Sequence, residues 1–302
     1  MKILNFGSMN IDYSYYVDHF VKPGETIGST DLKISCGGKG LNQSIAMARA
    51  GVKVWHAGAV GEQDGKLLTD LLQENEVNIK YVETRACSSG HAIIQVTKNA
   101  ENNIILFGGA NQKITENQIE HTLDAFQAGD FLVLQNEINL MNELIMKAKE
   151  RGIKVFFNPS PMDESVLRLP LASVDYFFLN EDEASALSSM DEADMVKQIE
   201  YLTRKYPDTG IIITVGSKGA YFFNSSMDKP IHQACFPMKA VDTTAAGDTF
   251  MGYFIASVSK GESPEQAMRI ASYAASLSVS RYGAAASIPT FNEVNSGLSG
   301  TC

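Results

Sequence analysis

Short runs of consecutive apolar residues alternate along the chain with longer segments that have the periodicity of amphipathic helices. The apolar runs predict buried strands at 2–8, 52–59, 131–135, 153–157, 176–179 and 211–215. The periodic segments predict helices over 40–50, 115–126, 140–151, about 193–206 and 264–280. Continuous apolar strands between helices are typical of a parallel sheet that is covered on both faces. We therefore expect a three-layer α/β/α fold with a mostly parallel central sheet.

Local signals support several of these helix boundaries. Thr115 and Ser263 each precede a predicted helix and are followed three residues later by glutamine, which is a capping-box pattern. Pro264 then occupies the first helical position, where its missing N–H would have no helical partner. Gly152 follows another predicted helix and can end it, because glycine readily adopts the left-handed conformation.

Two stretches, 11–36 and 91–108, interrupt the alternation of apolar strands and helices. Both are rich in alternating or β-type residues, as in YSYYVDHF and HAIIQV. We interpret them as strands of a small sheet apart from the main one, which would act as a lid. The alternative is that each is an elaborated loop. In parallel sheets, ligands bind beyond the carboxyl ends of the strands, so the site is expected there.

The composition limits the class of protein. The chain has 302 residues, of which 44% are apolar, and its 25 Lys and Arg against 35 Asp and Glu give a formal net charge of −10. This charge disfavours nucleic acid as a partner, because binding a polyphosphate takes a basic surface, although one local site can still hold a small phosphorylated ligand. No apolar run reaches the roughly 18 residues that a membrane-spanning helix needs. The N-terminus lacks the pattern of a signal peptide, so we expect neither a membrane segment nor a leader.

The cysteines and histidines are scattered along the chain. Cys36, Cys87, Cys235 and Cys302 form no CxxC or Cys/His spacing. We therefore expect free thiols in a reducing cytoplasm, with neither a disulfide framework nor a zinc site. The histidines are equally isolated, and none of them is a favoured candidate for catalysis.

The segment 241–250, VDTTAAGDTF, carries the strongest chemical signal. Ala245, Ala246 and Gly247 directly precede an apolar helical run, which places their N–H groups at a helix N-terminus. Unpaired donors and the positive end of the helix dipole favour an anion there. Asp248 lies in the first turn, where a carboxylate can take a hydroxyl proton while the amides stabilise charge on a transferring phosphoryl group. The alternative is that Asp248 is only a partner of the helix dipole.

Two further segments indicate a small polar ligand. In CGGKGLN at 36–42, three glycines surround Lys39 and let the backbone approach a ligand closely. This segment matches neither the Walker A motif nor the GxGxxG fingerprint. In GSMNID at 7–12, Asn10 and Asp12 alternate on one face of the chain and can bind neighbouring hydroxyls of a polyol. Each of these signals is weak alone.

In their order along the chain, these motifs resemble those of the ribokinase (PfkB) family of carbohydrate kinases, from Asn5 to Pro289. The most specific are GGKGLNQ at 37–43 and DTTAAGD at 242–248. The others are GSMNID at 7–12, PGET at 23–26, GGAN at 108–111, NP at 158–159, NEDE at 180–183, TVGSKG at 214–219 and RYGAAASIP at 281–289.

The resemblance implies one kinase domain over 1–302 with a β-sheet lid, and MgATP-dependent phosphorylation of a sugar primary hydroxyl, with D-ribose as the expected sugar. By position, Asp248 corresponds to the catalytic base, and the anion hole corresponds to Ala245, Ala246 and Gly247. The sugar contacts would be Asn10, Asp12, Gly38, Lys39, Gly40, Asn42, Glu137 and Asp248. The family also implies a homodimer that pairs lid against lid, which would cover the edges of an apolar lid.

The resemblance also assigns nucleotide and cation sites. Glu183 corresponds to an acid that acts through the hydration shell of Mg²⁺, an ion that keeps several waters. The ATP contacts would be Asn180, Thr214, Gly216, Ser217, Lys218, Gly219, Gly247 and Ser272, the last of which replaces a histidine of bacterial family members. A potassium site would be formed by Asp242, Thr244, Ser278, Arg281, Gly283 and Ser287.

Two alternatives to this function stay open. The chain could be a kinase of the same family for another small substrate, such as 2-deoxyribose, a nucleoside or a ketose. It could also be a non-catalytic relative that senses a sugar or a nucleotide, although Asp248 and the turn before it are both intact. A substrate panel distinguishes the first alternative, and ligand binding without ADP formation would indicate the second.

Overall fold

The structure is a computed structural model that describes residues 1–99, 101–190 and 195–299. The strands in these ranges are β1 (Ile3–Phe6), β2 (Asn10–Val17), β3 (Asp31–Gly37), β4 (Val54–Gly61), β5 (Asn78–Arg85), β6 (Gly90–Thr97), β7 (Asn102–Phe107), β8 (Phe131–Gln135), β9 (Lys154–Asn158), β10 (Tyr176–Asn180), β11 (Gly210–Thr214), β12 (Ala220–Phe223) and β13 (Ile231–Gln233). The α-helices are α1 (Lys39–Arg49), α2 (Lys66–Glu74), α3 (Glu116–Leu123), α4 (Met141–Glu150), α5 (Glu181–Ser188), α6 (Met195–Lys205), α7 (Ala246–Ser259), α8 (Pro264–Ser278) and α9 (Phe291–Ser299). Residues 193 and 194 of one predicted helix, and Cys302, lie outside the described ranges.

The larger of two sheets confirms the predicted central sheet. Its strand order is β13-β12-β11-β10-β9-β8-β1-β4-β5. The strands from β11 to β5 run parallel, while β12 and β13 extend one edge in antiparallel register. The carboxyl ends of the parallel strands therefore meet at one edge of the sheet.

Helices cover both faces of this sheet. Successive residues of a strand point to opposite sides, so a strand that is apolar throughout presents an apolar surface on each face. Ile3 and Phe156 pack with α1, α2, α7, α8 and α9 in one core. Leu4 and Phe157 pack with α3, α4, α5 and α6 in the other core. The two cores confirm the three-layer α/β/α arrangement.

The smaller sheet is separate and has the order β3-β2-β6-β7. β2 pairs with β6 in parallel, whereas β3 and β7 pair antiparallel on the outside. The stretches 11–36 and 91–108 thus contain strands, although β2 and β6 begin one residue earlier, at Asn10 and Gly90. Every residue of β7 is exposed.

Helices α1 and α7 are far apart in the sequence and pack directly against each other. Gly252 of α7 makes this possible, since a Cβ there would lie 2.4 Å from the Cβ of Ala46 and 3.0 Å from the backbone nitrogen of Met47. The first turns of both helices contribute to the site described below.

The predicted boundaries agree best where the pattern is strongest. The strand predicted at 131–135 is observed over the same residues. Thr115 and Ser263 are the N-caps of α3 and α8, and each accepts a hydrogen bond from the N–H of the glutamine three residues later. The elements that were not predicted from the sequence are β5, β12, β13, α2, α5 and α9. β5 is an edge strand that is half exposed and carries charged residues, so it lacks the apolar run that marks the central strands.

Two further findings concern the cysteines and membrane insertion. Cys36, Cys87 and Cys235 are free thiols, as expected. Within the three described ranges, no helix combines the length and apolarity needed to cross a bilayer.

Candidate active site

The N-terminus of α7 is the centre of the candidate site. Ala245 precedes the helix in the left-handed conformation at φ +60°, and the N–H of Ala246 donates to the carbonyl of Thr243 across 3.2 Å. Gly247 and Asp248 follow in the first turn, where N–H groups have no helical carbonyl to bind. The positive end of the helix dipole lies at the same place, so this turn favours an anion.

This helix end lines a cavity of about 220 Å³. The other walls come from the start of α1, from the carboxyl ends of β9, β10 and β11, and from the start of α5. The wall brings together these predicted site residues: Lys39, Asn180, Glu183, Thr214, Ala245, Ala246, Gly247 and Asp248. It also contains polar residues that the sequence analysis did not assign: Gln43, Asn158, Ser160 and Thr243.

The Asp248 carboxylate is held by two side-chain amides of α1. Nδ2 of Asn42 donates to Oδ2 across 3.0 Å, and Nε2 of Gln43 donates to Oδ1 across 2.9 Å. Asp248 is only 8% exposed, so these bonds fix its orientation at the wall of the cavity. A carboxylate held beside an anion-binding helix end can accept a hydroxyl proton.

Lys39, the first residue of α1, supplies positive charge to the cavity wall. Burial by itself would lower the pKa of its ammonium group, but the carboxylates of Asp248, Glu137 and Glu183 outweigh burial and raise it. Lys39 is therefore protonated at neutral pH and attracts an anion into the cavity.

The glycines beside Lys39 let α1 approach the end of β1. A Cβ on Gly40 would lie 2.4 Å from the backbone nitrogen of Ser8. Gly38 precedes the helix at φ +92°, a conformation that glycine adopts without strain. The N–H of Lys39 donates to Oε2 of Glu137 across 3.0 Å, and the hydroxyl of Ser8 donates to the same oxygen. This approach places the Glu137 carboxylate beside the start of α1.

A second group of polar side chains surrounds the start of β2. Asn111 donates through Nδ2 to Oδ1 of Asn10 across 2.8 Å and also pairs with the backbone N and O of Met9. The amide nitrogen of Asn10 is thereby left to donate elsewhere. Asp12 lies two residues further along the same face of β2, and no residue that the structure describes donates a hydrogen bond to its carboxylate. Both side chains thus have hydrogen-bonding capacity for hydroxyl groups of a ligand.

Burial changes the acidity of two carboxyl groups in this region. Burial, together with the neighbouring charge of Glu137, raises the pKa of Asp12 to about 7. Burial also raises the pKa of Glu137, against the opposing effect of Lys39. Asp12 therefore changes its charge near neutral pH, among the predicted sugar contacts.

Asn180 and Glu183 begin α5 beside the cavity. They form a reciprocal capping box, in which the N–H of Glu183 donates to Oδ1 of Asn180 across 2.8 Å and the N–H of Asn180 donates to Oε2 of Glu183 across 3.0 Å. Burial raises the pKa of Glu183, although the bond from Asn180 opposes the shift. The pair presents a buried carboxylate to the cavity.

Other predicted nucleotide contacts lie outside the wall of this cavity. Gly216, Ser217 and Lys218 form an exposed 3₁₀ turn after β11, and Gly219 follows it at φ +103°. Ser272 is buried within α8. The sugar contacts Asn10, Asp12 and Glu137 also lie outside the wall, in the region between β1, β2 and α1.

Asp242 connects the turn before α7 with the loop after α8. Its Oδ1 accepts from the N–H of Thr244 across 2.9 Å, and its Oδ2 accepts from the N–H of Gly283 across 2.9 Å. Burial would raise the pKa of Asp242, but these hydrogen bonds outweigh burial and lower it. The remaining predicted cation ligands lie at the end of α8 and in the loop after it: Ser278, Arg281 and Ser287.

Three residues that act through a neighbour were not among the predicted site residues. Ser8 donates to Glu137, Gln43 donates to Asp248, and Asn111 donates to Asn10. Each lies inside a motif noted above, GSMNID, GGKGLNQ or GGAN. Their presence in these motifs was a signal in the sequence. A hydroxyl or an amide side chain could not be given a role, however, until the group that it binds was known.

Comparisons with known proteins identify the family. The model of the pfkB family carbohydrate kinase matches residues 1–291. The chain belongs to the PfkB family of carbohydrate kinases. It is 35% identical to a ribokinase of Haemophilus influenzae over an alignment of 297 positions that covers 95% of each chain. It is 33% identical to a deoxyribokinase of Salmonella typhimurium over an alignment of 308 positions that covers 99% of each chain. The structure of Arabidopsis thaliana ribokinase complexed with ribose and ATP matches with a TM-score of 0.88 at 30% identity, covering 98% of both chains. This carbohydrate kinase is therefore a ribokinase-family sugar kinase.

We predict that Asp12→Asn changes how stability depends on pH. The pKa of Asp12 is about 7 in the folded protein and has its ordinary value of 3.8 in the unfolded chain. As the pH rises between these values, the unfolded chain loses the proton that the folded protein still holds, so the folded state becomes less stable. We compare the free energy of unfolding of the unmodified protein with that of Asp12→Asn. Between about pH 4 and about pH 8, the unmodified protein should lose on the order of 3 kcal/mol relative to the variant. Urea denaturation at a series of pH values measures this difference. The control is Asp208→Asn at an exposed position, and a difference for Asp12→Asn that does not change with pH would contradict the prediction.

Proposed function

We propose that this sugar kinase is a ribokinase, which transfers the γ-phosphoryl group of ATP to the primary hydroxyl of D-ribose. The observation that carries the proposal is that Asp248, the N-terminus of α7 and Lys39 line a single cavity. Similarity to the ribokinases of Haemophilus influenzae and Arabidopsis thaliana, the second solved with ribose and ATP, supports this sugar and this nucleotide.

In the proposed reaction, Asp248 accepts the proton of the primary hydroxyl while the hydroxyl oxygen bonds to the γ-phosphorus. The bond between this phosphorus and the bridging oxygen breaks, and ADP leaves with the electron pair. The N–H groups of the turn at Ala245, Ala246 and Gly247 stabilise the charge on the transferring group, and Ala246 gives up its bond to Thr243 to do so. Lys39 adds positive charge at the same wall.

The proposed sugar subsite lies between the cavity and the small sheet. Asn10, with its free amide nitrogen, and Asp12, with its unpaired carboxylate, bind neighbouring hydroxyls. A site that binds hydroxyls through buried polar groups discriminates against an analogue that lacks one of them, because a buried group is then left unpaired. This favours ribose over 2-deoxyribose. The other proposed sugar contacts are Gly38, Lys39, Gly40, Asn42 and Glu137.

The proposed nucleotide contacts are Asn180, Thr214, Gly216, Ser217, Lys218, Gly219 and Ser272. Mg²⁺ fits the neighbouring wall, since Glu183 offers a buried carboxylate and hard cations prefer oxygen. Across 1–99, 101–190 and 195–299, no cluster of three or more His, Cys, Asp or Glu could hold a metal ion. When bound, Mg²⁺ neutralises charge on the phosphates.

We predict that Asp248→Asn lowers kcat with ribose by roughly 10²- to 10⁴-fold, because the amide cannot accept the hydroxyl proton. A coupled ADP-release assay measures turnover on ribose, 2-deoxyribose, fructose and nucleosides, and calorimetry measures ribose binding. Binding of ribose by Asp248→Asn should stay detectable, and Asp208→Asn is the matched control.

Each outcome of this panel bears on one part of the proposal. Substantial turnover by Asp248→Asn would show that another group is the base. Turnover of another substrate with none of ribose would reject ribose and favour a different kinase of the family. Ligand binding without any ADP formation would indicate a sensor.

We also propose a potassium site at Asp242, Thr244, Ser278, Arg281, Gly283 and Ser287. The fit lies in the donor set, which consists of an ionised carboxylate, a hydroxyl and backbone carbonyls, all hard oxygen ligands. Asp242 connects this loop to the turn that begins α7. A cation there would therefore order the anion-binding turn.

Activity should rise several-fold when potassium replaces sodium at constant ionic strength, because an ordered turn at the start of α7 stabilises the transferring group better. The measurement is ADP release in a series of chloride salts. Asp242→Asn should lose most of the response. Equal rates in sodium and potassium would contradict the proposed site.

We further propose that two copies of the chain pair through their small sheets. The edge strand β7 has free backbone groups and exposed apolar side chains, with Ile105 60% and Phe107 51% exposed. An exposed apolar edge strand of this kind is normally covered. A second copy offers the same edge and the same side chains.

Light scattering at micromolar concentration should give the mass of a dimer, and Ile105→Glu should shift the mass towards that of a monomer, because it places a charge in the apolar contact. Leu167→Glu is the control, since Leu167 is 52% exposed in a 3₁₀ turn elsewhere on the surface. A monomeric mass for the unmodified protein would refute the pairing.

A further inference from the structure

A chain of buried side-chain amides leads through the core to Asp248. Its members are Asn5 in β1, Gln135 at the end of β8 and Gln43 in α1, all at most 1% exposed. Nε2 of Gln135 donates to Oδ1 of Asn5 across 3.0 Å and to Oε1 of Gln43 across 2.7 Å. Gln43 in turn donates to Oδ1 of Asp248.

A backbone carbonyl sets the direction of every bond in this chain. Nδ2 of Asn5 donates to the carbonyl of Gly40 across 2.8 Å, and a carbonyl can only accept. Oδ1 of Asn5 therefore faces Gln135, which must turn its nitrogen towards it. The same nitrogen donates to Gln43, so Gln43 presents its oxygen to Gln135 and its nitrogen to Asp248.

The far end of the chain agrees with this direction. Nδ2 of Asn5 also donates to Oγ of Ser44 across 2.9 Å, and this hydroxyl pairs with Nδ1 of His56 across 2.8 Å. Burial lowers the pKa of His56 to about 4, so the ring is neutral at pH 7 and its Nδ1 can accept the proton of Ser44. Ser44 can then receive the bond from Asn5, and no group in the chain has to reverse.

We propose that Asn5, Gln135 and Gln43 are positioning residues that keep a hydrogen-bond donor aimed at the Asp248 carboxylate. The inference rests on the role of Asp248 as the base. Without the donor from Gln135, the Gln43 amide is free to turn over and present its oxygen to the carboxylate, where two acceptors repel. Oε1 of Gln135 has no hydrogen-bond partner in the described part of the chain, a cost that an apolar residue at this position would avoid.

Charged groups near Asp248 lie outside the amide chain. Lys39 of α1 and Glu137 after β8 both interact electrostatically with Asp248, and Glu183 of α5 acts on the same lysine. Neutral substitutions in the amide chain leave these charges in place. Any shift in pH dependence would then report the lost hydrogen bond.

The test is a double-mutant cycle of Gln43→Met and Gln135→Met, measured by ADP release at saturating ribose and ATP. Methionine matches glutamine in length and cannot replace its hydrogen bonds. Gln43→Met should lower kcat by on the order of 10-fold, less than the roughly 10²- to 10⁴-fold that a general base supplies. Gln135→Met should lower kcat less, and the kcat of the double variant should equal that of Gln43→Met, because Gln135 acts only through Gln43.

In both single variants the KM for ribose should stay near the original value. The acidic limb of the kcat profile should move to higher pH, since the carboxylate loses a donor.

The matched control is Gln118→Met. Gln118 is also 1% exposed, but it donates to the carbonyls of Gly58 and Tyr81. This variant should lower the melting temperature without changing kcat. If Gln135→Met does not fold, Gln135→Leu takes its place, because leucine is also neutral and cannot donate either bond, and its kcat should fall as well.

The inference would be overturned if the loss of kcat in the double variant equals the product of the losses in the two single variants. An unchanged kcat in the folded Gln135 variant would also overturn it. If Asp248→Asn is inactive at the same time, the proposed base stands and only the amide chain is refuted. Substantial turnover by Asp248→Asn would instead refute the base and this inference together.

Discussion

The contact between the start of α1 and the end of β1 determines the geometry of the site. Gly40 lies so close to the backbone nitrogen of Ser8 that no Cβ fits, and the N–H of Leu41 donates to the carbonyl of Ser8 across 2.9 Å. This contact with Ser8 fixes the first turn of α1, from which Lys39 reaches the cavity and Gln43 reaches Asp248. The packing of α7 against α1 completes the arrangement. One backbone contact thus sets the positions of the ammonium group and of the amide that holds the carboxylate.

The electrostatics of the candidate site show how an acidic protein can attract an anion. Four carboxylates, Asp12, Glu137, Glu183 and Asp248, lie in or beside the site, and three of them act on Lys39. The net charge of the chain is −10, yet the helix N-terminus and Lys39 create a local positive region. Binding through such local donors needs no basic surface. The charge of the whole chain therefore limits the class of partner and says little about a single site.

The fold and the centre of the site were predictable for the same reason, namely that strong local patterns mark them. The strand at 131–135 is apolar on both faces, and the AAG turn before an apolar helix indicates an anion site. Gln135 could not be assigned, because its partners Asn5 and Gln43 are distant in sequence. The pairing of β8 with β1 brings Asn5 beside it, and the position of α1 brings Gln43. The raised pKa of Asp12 could not be predicted either, because it depends on burial by elements whose positions around Asp12 are not evident from the sequence.

The packing of α7 on α1 has a consequence for synthesis of the chain. The sheet face that carries Ile3 and Phe156 is covered in large part by α7, α8 and α9, which are made last. The opposite face is covered by α3 to α6, which are made earlier. A nascent chain therefore carries an incomplete apolar layer on one side until its final helices emerge, and such surfaces promote aggregation. Truncation before α7 would remove Asp248 and also leave this face of the central sheet exposed to water.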